Sequence, residues 1–282
     1  MKKYNFLVFL TFCIIFISSV FSIAKTNYKC GMSSEGLYHT RPGNELCKGK
    51  NVEKFFVEKY NKTVTFSEDT SKRVCIEGVE NYSQLNLNRY INNEKNIADS
   101  YKKIDATCTM VACVELVNYY AKHVYNIEIE DTPEEMFLAI WNKCYSKGFT
   151  TKNHGTRSGM VNNCVSKAFD MYGIPRHGNT EWFYLLRKTK NSIDKNQPVL
   201  LDLVDHSTVA KGYTTYKYSY SKDVKYGFLN IKRKTVTVEG TENFLIVNDG
   251  WLYDGPEYES LFPVSYIGST LDGMQICLTP SD

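Results

Sequence analysis

Three residues in this 282-residue chain have the types and the order that covalent acyl chemistry needs: Cys108, then His206, then Asn248. A thiolate attacks a carbonyl carbon, an imidazole takes and returns the proton, and a third group fixes the ring. Cys108 opens an almost wholly apolar run that ends at Tyr119-Tyr120, directly after the polar segment Asp105-Ala106-Thr107. This pattern predicts a helix with a cysteine in its first turn, where Asp105 or Thr107 can accept the free N–H groups. The partial positive charge of a helix start favours thiolate over thiol. The same features also describe an ordinary buried cysteine, so the partners decide.

His206 follows the hydrophobic run Pro198–Val204 and precedes Ser207-Thr208-Val209-Ala210-Lys211-Gly212-Tyr213. A histidine between two buried strands is held rigidly and still reaches a cleft; the plainer reading is a satisfied histidine at a strand end. His39, His123, His154 and His177 sit in turn-like or polar contexts, and only His154, in Asn153-His154-Gly155-Thr156, rivals His206. Asn248 ends the run Phe244–Val247 and can accept an imidazole N–H, fixing the tautomer. Asp249 can do the same with a full charge, and Trp251 can shield the bond. Asn-Asp-Gly is also a strong turn signal by itself.

The elements that must position these residues are legible in outline. Thr132-Pro133-Glu134-Glu135 supplies a cap, a proline in the first turn and a capping-box glutamate. The helix it opens puts Met136, Phe137, Ile140, Trp141 and Cys144 on one face and ends at Gly148. A third helix is expected over Ser158–Tyr172 and a shorter one over Glu181–Lys190. From Gln197 the pattern changes to strands: Pro198–Val204, Thr208–Tyr213, Tyr226–Ile231, Thr235–Val238 and Phe244–Val247. Tyr216, Tyr218 and Tyr220 alternate as one face of a strand. Helices followed by antiparallel strands give an α+β class.

Met1-Lys2-Lys3, an apolar run to Phe21 and Ser22-Ile23-Ala24 form a secretory signal pattern over residues 1–24, so an extracellular location is expected. An uncleaved anchor is the alternative, since the run approaches the roughly 20 residues that span a bilayer. Removing Lys2 and Lys3 from 34 basic residues leaves 32 against 31 acidic, which offers no basic stripe for nucleic acid and none for a membrane once the leader is gone. Residues 25–96 hold glycine-rich turns and three cysteines and look like a pro-segment or small accessory domain, leaving 97–282 as the main domain. Nine cysteines in an exported chain suggest bridges. With Cys13 in the leader, Cys108 reactive and Cys113 on a buried face, six remain: Cys30, Cys47, Cys75, Cys144, Cys164 and Cys277. Their connectivity stays open. No phosphate loop, dinucleotide fingerprint or His-Glu-x-x-His site is present, so no cofactor and no metal are expected.

Cysteine at a helix start, histidine on a strand, and then Val247-Asn248-Asp249-Gly250-Trp251 resemble the papain-like cysteine peptidases, most closely bacterial members similar to streptopain and the bacteriocin-leader-processing peptidases. Ala112 four residues after Cys108, Tyr119-Tyr120, and Gly212-Tyr213 after His206 add to the likeness, which covers residues from about 97 to the end. The resemblance implies a papain-like fold with an N-terminal helical half and a C-terminal antiparallel sheet. It implies a Cys108-His206-Asn248 triad and a protein or peptide substrate. The family places an oxyanion-hole glutamine about six residues before the cysteine; Lys102 stands there, and the nearest upstream glutamine is Gln84. Two other readings share these residues: a cysteine-dependent amidase or acyltransferase, and an inactive peptidase-like binding domain.

Overall fold

A computed structural model describes residues 52–93, 104, 106–152, 154–181, 186–203, 206–227, 232–250, 260–267 and 274–280. The leader, the region 25–51, Lys102, Asp105 and Trp251 lie outside the described residues, as do Cys13, Cys30, Cys47 and the side chain of Cys277. The architecture is mixed helix and antiparallel sheet, as the α+β reading required. No helix among the described residues is long and apolar enough to cross a membrane.

The centre is helix α3 (Cys108–Tyr119), which begins at the predicted cysteine and continues into a π-helical turn at Tyr120–Tyr125. α1 (Val52–Tyr60) and α2 (Gln84–Asn93) precede it, and α4 (Pro133–Ser146), α5 (Val161–Met171) and α6 (Leu186–Ile193) follow. From Met110 to Val117 every residue of α3 is buried, which is why its sequence shows no polar face. α4 behaves as its sequence asks. Thr132 Oγ1 accepts the Glu135 N–H at 3.3 Å while Glu135 Oε2 accepts the Thr132 N–H at 2.8 Å, closing the capping box. Its five predicted core residues are all buried. The expected helix over Ser158–Tyr172 is a 3-10 turn, Ser158–Met160, running into α5.

Short strands β1 (Thr65–Glu68), β2 (Val74–Cys75), β3 (Thr150–Thr151) and β4 (Gly155–Thr156) come from the first half. β5 (Arg176–Glu181), β6 (Val199–Leu203), β7 (His206–Tyr226), β8 (Lys232–Asn248), β9 (Ser260–Pro263) and β10 (Met274–Pro280) come from the second, with a short helix α7 (Val264–Ile267) after β9. The main sheet runs β5-β10-β6-β7-β8-β9, and every pairing is antiparallel. β7 is its spine. β8 covers one edge over most of its length, while β6, β2 and β1 share the other edge in succession. The handover occurs at a bulge between Ala210 and Gly212. A Cβ on Gly212 would lie 2.5 Å from the Val74 carbonyl oxygen, so only glycine lets β2 approach there.

One expectation needs correction here. The four strands expected between Thr208 and Val247 are two long ones, β7 and β8. Their outer halves are largely exposed and mostly polar, so the apolar alternation that marks a strand is confined to short pieces such as Thr235–Val238. Tyr226 ends β7 and Gly227, at φ 82°, begins the turn instead of a strand. The regions on either side of residue 96 share one core and one sheet. β1 and β2 belong to the main sheet, and Phe55, Phe56, Leu87 and Ile91 lie in the same hydrophobic core as α3 and β8. Phe56 packs on Phe66, Tyr218 and Phe244, and Tyr60 stacks on Tyr220, so the alternating tyrosines receive α1.

Candidate active site

Cys108, the first residue of α3, lies half-buried in a closely packed hollow with no room for a water molecule. Val111, Ala112 and Glu115 line it from the same helix; His206, Ser207 and Thr208 line it from β7; Asn248 and Gly250 come from the end of β8. Gln84, the first residue of α2, completes the wall. Cys108, His206 and Asn248 are therefore brought together. His123, His154 and His177 do not line this hollow; His154 is exposed in the turn between β3 and β4, and His39 lies outside the described residues.

Thr107 makes no side-chain cap at the start of α3, and packing holds the approach to Cys108. The Thr107 main-chain oxygen accepts the Met110 N–H at 2.8 Å, while its hydroxyl donates to Asn88 Oδ1 at 2.5 Å. That bond ties the helix start to α2. Gly155 of β4, at φ 64°, seats against the residue before: a Cβ there would meet the Ala106 carbonyl oxygen at 2.6 Å. The site thus rests on three elements before any catalytic partner is counted.

His206, the first residue of β7, is 3% exposed, and its Nε2 is 2.7 Å from the main-chain oxygen of Asp249. A ring donating from Nε2 to a carbonyl keeps Nδ1 as its basic nitrogen. Burial lowers the imidazole pKa, against the opposing pull of that hydrogen bond and of the Asp249 and Asp202 charges. Asn248 does not orient the ring in the expected way. Its Nδ2 donates to the carbonyl oxygens of Glu80 at 2.8 Å and Val79 at 3.2 Å, and its Oδ1 accepts no hydrogen bond. Its main-chain oxygen accepts the Thr208 hydroxyl. The Asp249 carboxylate accepts the Ser260 hydroxyl at 2.5 Å. The expected orienting side chain is thus replaced by the next residue's carbonyl.

Burial raises the Cys108 thiol pKa and the Asp202 charge adds to the shift, while hydrogen bonds from Ser207 and from the Thr109 main chain pull it back. Desolvation thus outweighs the thiolate-favouring helix start that the sequence suggests. Asp202 on β6 is tied in through Ser207, whose Oγ donates to Asp202 Oδ1 at 2.9 Å and lies 2.9 Å from Thr109 Oγ1. Burial pushes the Asp202 carboxyl up to about 6. Glu115 is also held well above the usual carboxylate range, first by burial, and it accepts the Tyr82 N–H at 3.1 Å.

The segment leading into α2 is clasped across the site. Asn248 holds Val79 and Glu80, Glu115 holds Tyr82, Asn81 Oδ1 accepts the Gly250 N–H at 3.3 Å, and the Gln84 N–H donates to the Gly250 carbonyl at 2.7 Å. The sequence singles out neither Glu115, Asp202 nor Ser207, and marks Gln84 only as the nearest glutamine upstream of Cys108. The spacing of Gln84 with Leu87 and Ile91 is that of a buried helix face. Elsewhere, Cys113, Cys144 and Cys164 are buried free thiols, so no bridge among the six expected cysteines is seen in the described residues. No group of three or more metal-binding side chains occurs among the described residues. No protein-family model matches the chain, and no curated protein matches it.

Proposed function

We propose that the chain is a papain-like cysteine peptidase that cleaves peptide bonds. The observation that carries this reading is that Cys108, His206, Asn248 and Gln84, from four separate elements, line one hollow. Cys108 Sγ gives its proton to His206 Nδ1 and attacks the scissile carbonyl carbon. The Cys108 N–H, free at the helix start, and the Gln84 side-chain amide hold the oxyanion. His206 then protonates the leaving amine, and the thioester is hydrolysed by water activated by the same ring. Asp249 supplies the carbonyl that holds the imidazole, and Asn248 fixes the backbone that presents it.

Gln84 supplies the donor expected at Lys102, by way of the clasped segment instead of the loop before the cysteine. Its place weighs against the inactive binding domain. Export and cleavage of residues 1–24 belong to the same proposal. The amidase and acyltransferase readings use the same groups and differ only in the acyl acceptor and the substrate.

Incubation with a quenched fluorescent peptide library tests the reading, alongside Cys108→Ala. Hydrolysis by the parent chain and its loss in Cys108→Ala are expected. Turnover that survives the substitution removes Cys108 from the mechanism. Turnover of peptidoglycan, or incorporation of a primary amine in place of peptide cleavage, selects one of the other acyl reactions.

A further inference from the structure

The paired ends of β7 and β8 gather charge that the near-neutral composition conceals. Lys222 and Lys225 on β7 and Lys232, Arg233 and Lys234 on β8 are all exposed, and strand pairing sets Lys225 opposite Arg233 and Tyr226 opposite Lys232. Asp223 is the one acidic residue between positions 222 and 236, and its carboxylate accepts the Thr235 hydroxyl at 2.7 Å. None of the five cations has an ion pair among the described residues. The ribbon also projects. β1 last pairs with β7 at Ser219 and β9 last pairs with β8 at Phe244, so Tyr220–Tyr226 extends about 20 Å with β8 as its sole strand neighbour among the described residues.

Period-two alternation places Lys222, Tyr226, Lys232 and Lys234 on one face and Lys225 and Arg233 on the other. Protection of a free sheet edge explains scattered charges of either sign. It does not explain one sign collected at the end, with like charges set directly opposite each other at an intrinsic cost. A linear polyanion would be met by cations on a single face. Cations on both faces, ringing the end of an arm, fit a plane of anions that the arm meets end-on. Tyr226, 44% exposed, stands among them with Lys234 Nζ 5.7 Å from its ring centre, and a ring with a polar tip suits a bilayer interface. The sequence joining the strands, Phe228-Leu229-Asn230-Ile231, adds no charge. We propose that the end of the β7–β8 ribbon docks on a bilayer surface rich in anionic phospholipid. This stands apart from the peptidase reading.

The test is co-sedimentation of the full chain with phosphatidylserine–phosphatidylcholine vesicles and with phosphatidylcholine vesicles alone. Lys225→Glu with Arg233→Glu is compared under the same conditions. Both proteins share the apolar N-terminal run, so their difference reports the ribbon. A cation at an anionic leaflet is worth about fivefold in partition, so reversing two is expected to weaken binding by at least about 30-fold. Binding by the parent should also fall at high salt. Lys222→Gln with Lys234→Gln gives a second measure on exposed side chains, with about 30-fold expected. Thermal melting identifies any variant that has lost its fold. Equal binding by parent and folded variants overturns the proposal. So does failure of the parent to bind the anionic vesicles at low salt, or capture of RNA or sulfated glycan with no vesicle binding.

Discussion

His206 Nε2 and the Asp249 main-chain oxygen lie 2.7 Å apart, so the backbone holds the imidazole at that nitrogen. This changes what Asn248 is expected to do. Its amide donates to two carbonyls of the segment before α2, and a carboxylate in its place would face those oxygens with like polarity. Asn248→Asp should therefore destabilise the fold by about 1–3 kcal/mol, the cost of buried acceptors left unpaired. Activity should fall with it. Thermal melting together with peptide turnover checks this. Undiminished stability and activity in the Asn248→Asp protein would mean that the side chain serves the ring directly.

Gln84 is open to a cleaner substitution, because its bond to Gly250 uses the main-chain N–H and survives truncation of the side chain. Gln84→Ala should lower kcat by about 100- to 1,000-fold, the usual loss for one oxyanion donor. Alkylation of Cys108 by iodoacetamide should persist, since that reaction develops no oxyanion. Loss of both would point to a collapsed site.

Chain boundaries make a third expectation. Phe55 and Phe56 pack edge-on against Phe244, and β1 and β2 complete the edge of β7 beyond β6. A protein beginning at residue 97 would expose those surfaces and lack Gln84. It should fail to give a soluble, cooperatively melting product, and a cooperative melt from it would show that residues 52–93 are a detachable accessory.

What the sequence disclosed was local chemistry. The capping box at Thr132 and Glu135, the buried face of α4 and the cysteine at a helix start depend on neighbours within a turn or two. What it hid depends on contacts across the chain. Gln84 lies 24 positions before Cys108, and only the clasp through Asn248, Glu115 and Gly250 brings it near. The group holding His206 is a main-chain carbonyl, which every residue owns, so no side-chain pattern announces it. The cations of the ribbon form two short groups until pairing sets Lys225 against Arg233. The outer halves of β7 and β8 are largely exposed, so burial shapes their composition only weakly.

The Asp202 charge bears on both stability and reactivity. Burial raises its carboxyl from the ordinary 3.8 to about 6, so between those values the folded chain holds a proton that the unfolded chain has released. Stability then falls as pH rises through that window, by about 3 kcal/mol in all. Asp202→Asn keeps an acceptor for the Ser207 hydroxyl and removes the charge, so it should raise stability at neutral pH by up to about that amount and flatten the dependence. The same charge raises the Cys108 thiol and the His206 imidazole. Its removal should move the midpoint of Cys108 alkylation to lower pH and the acid limb of turnover to lower pH as well. Denaturant titrations across this range and iodoacetamide rates against pH measure the two effects separately. A stabilised variant with an unmoved thiol midpoint would show that Asp202 acts on packing alone.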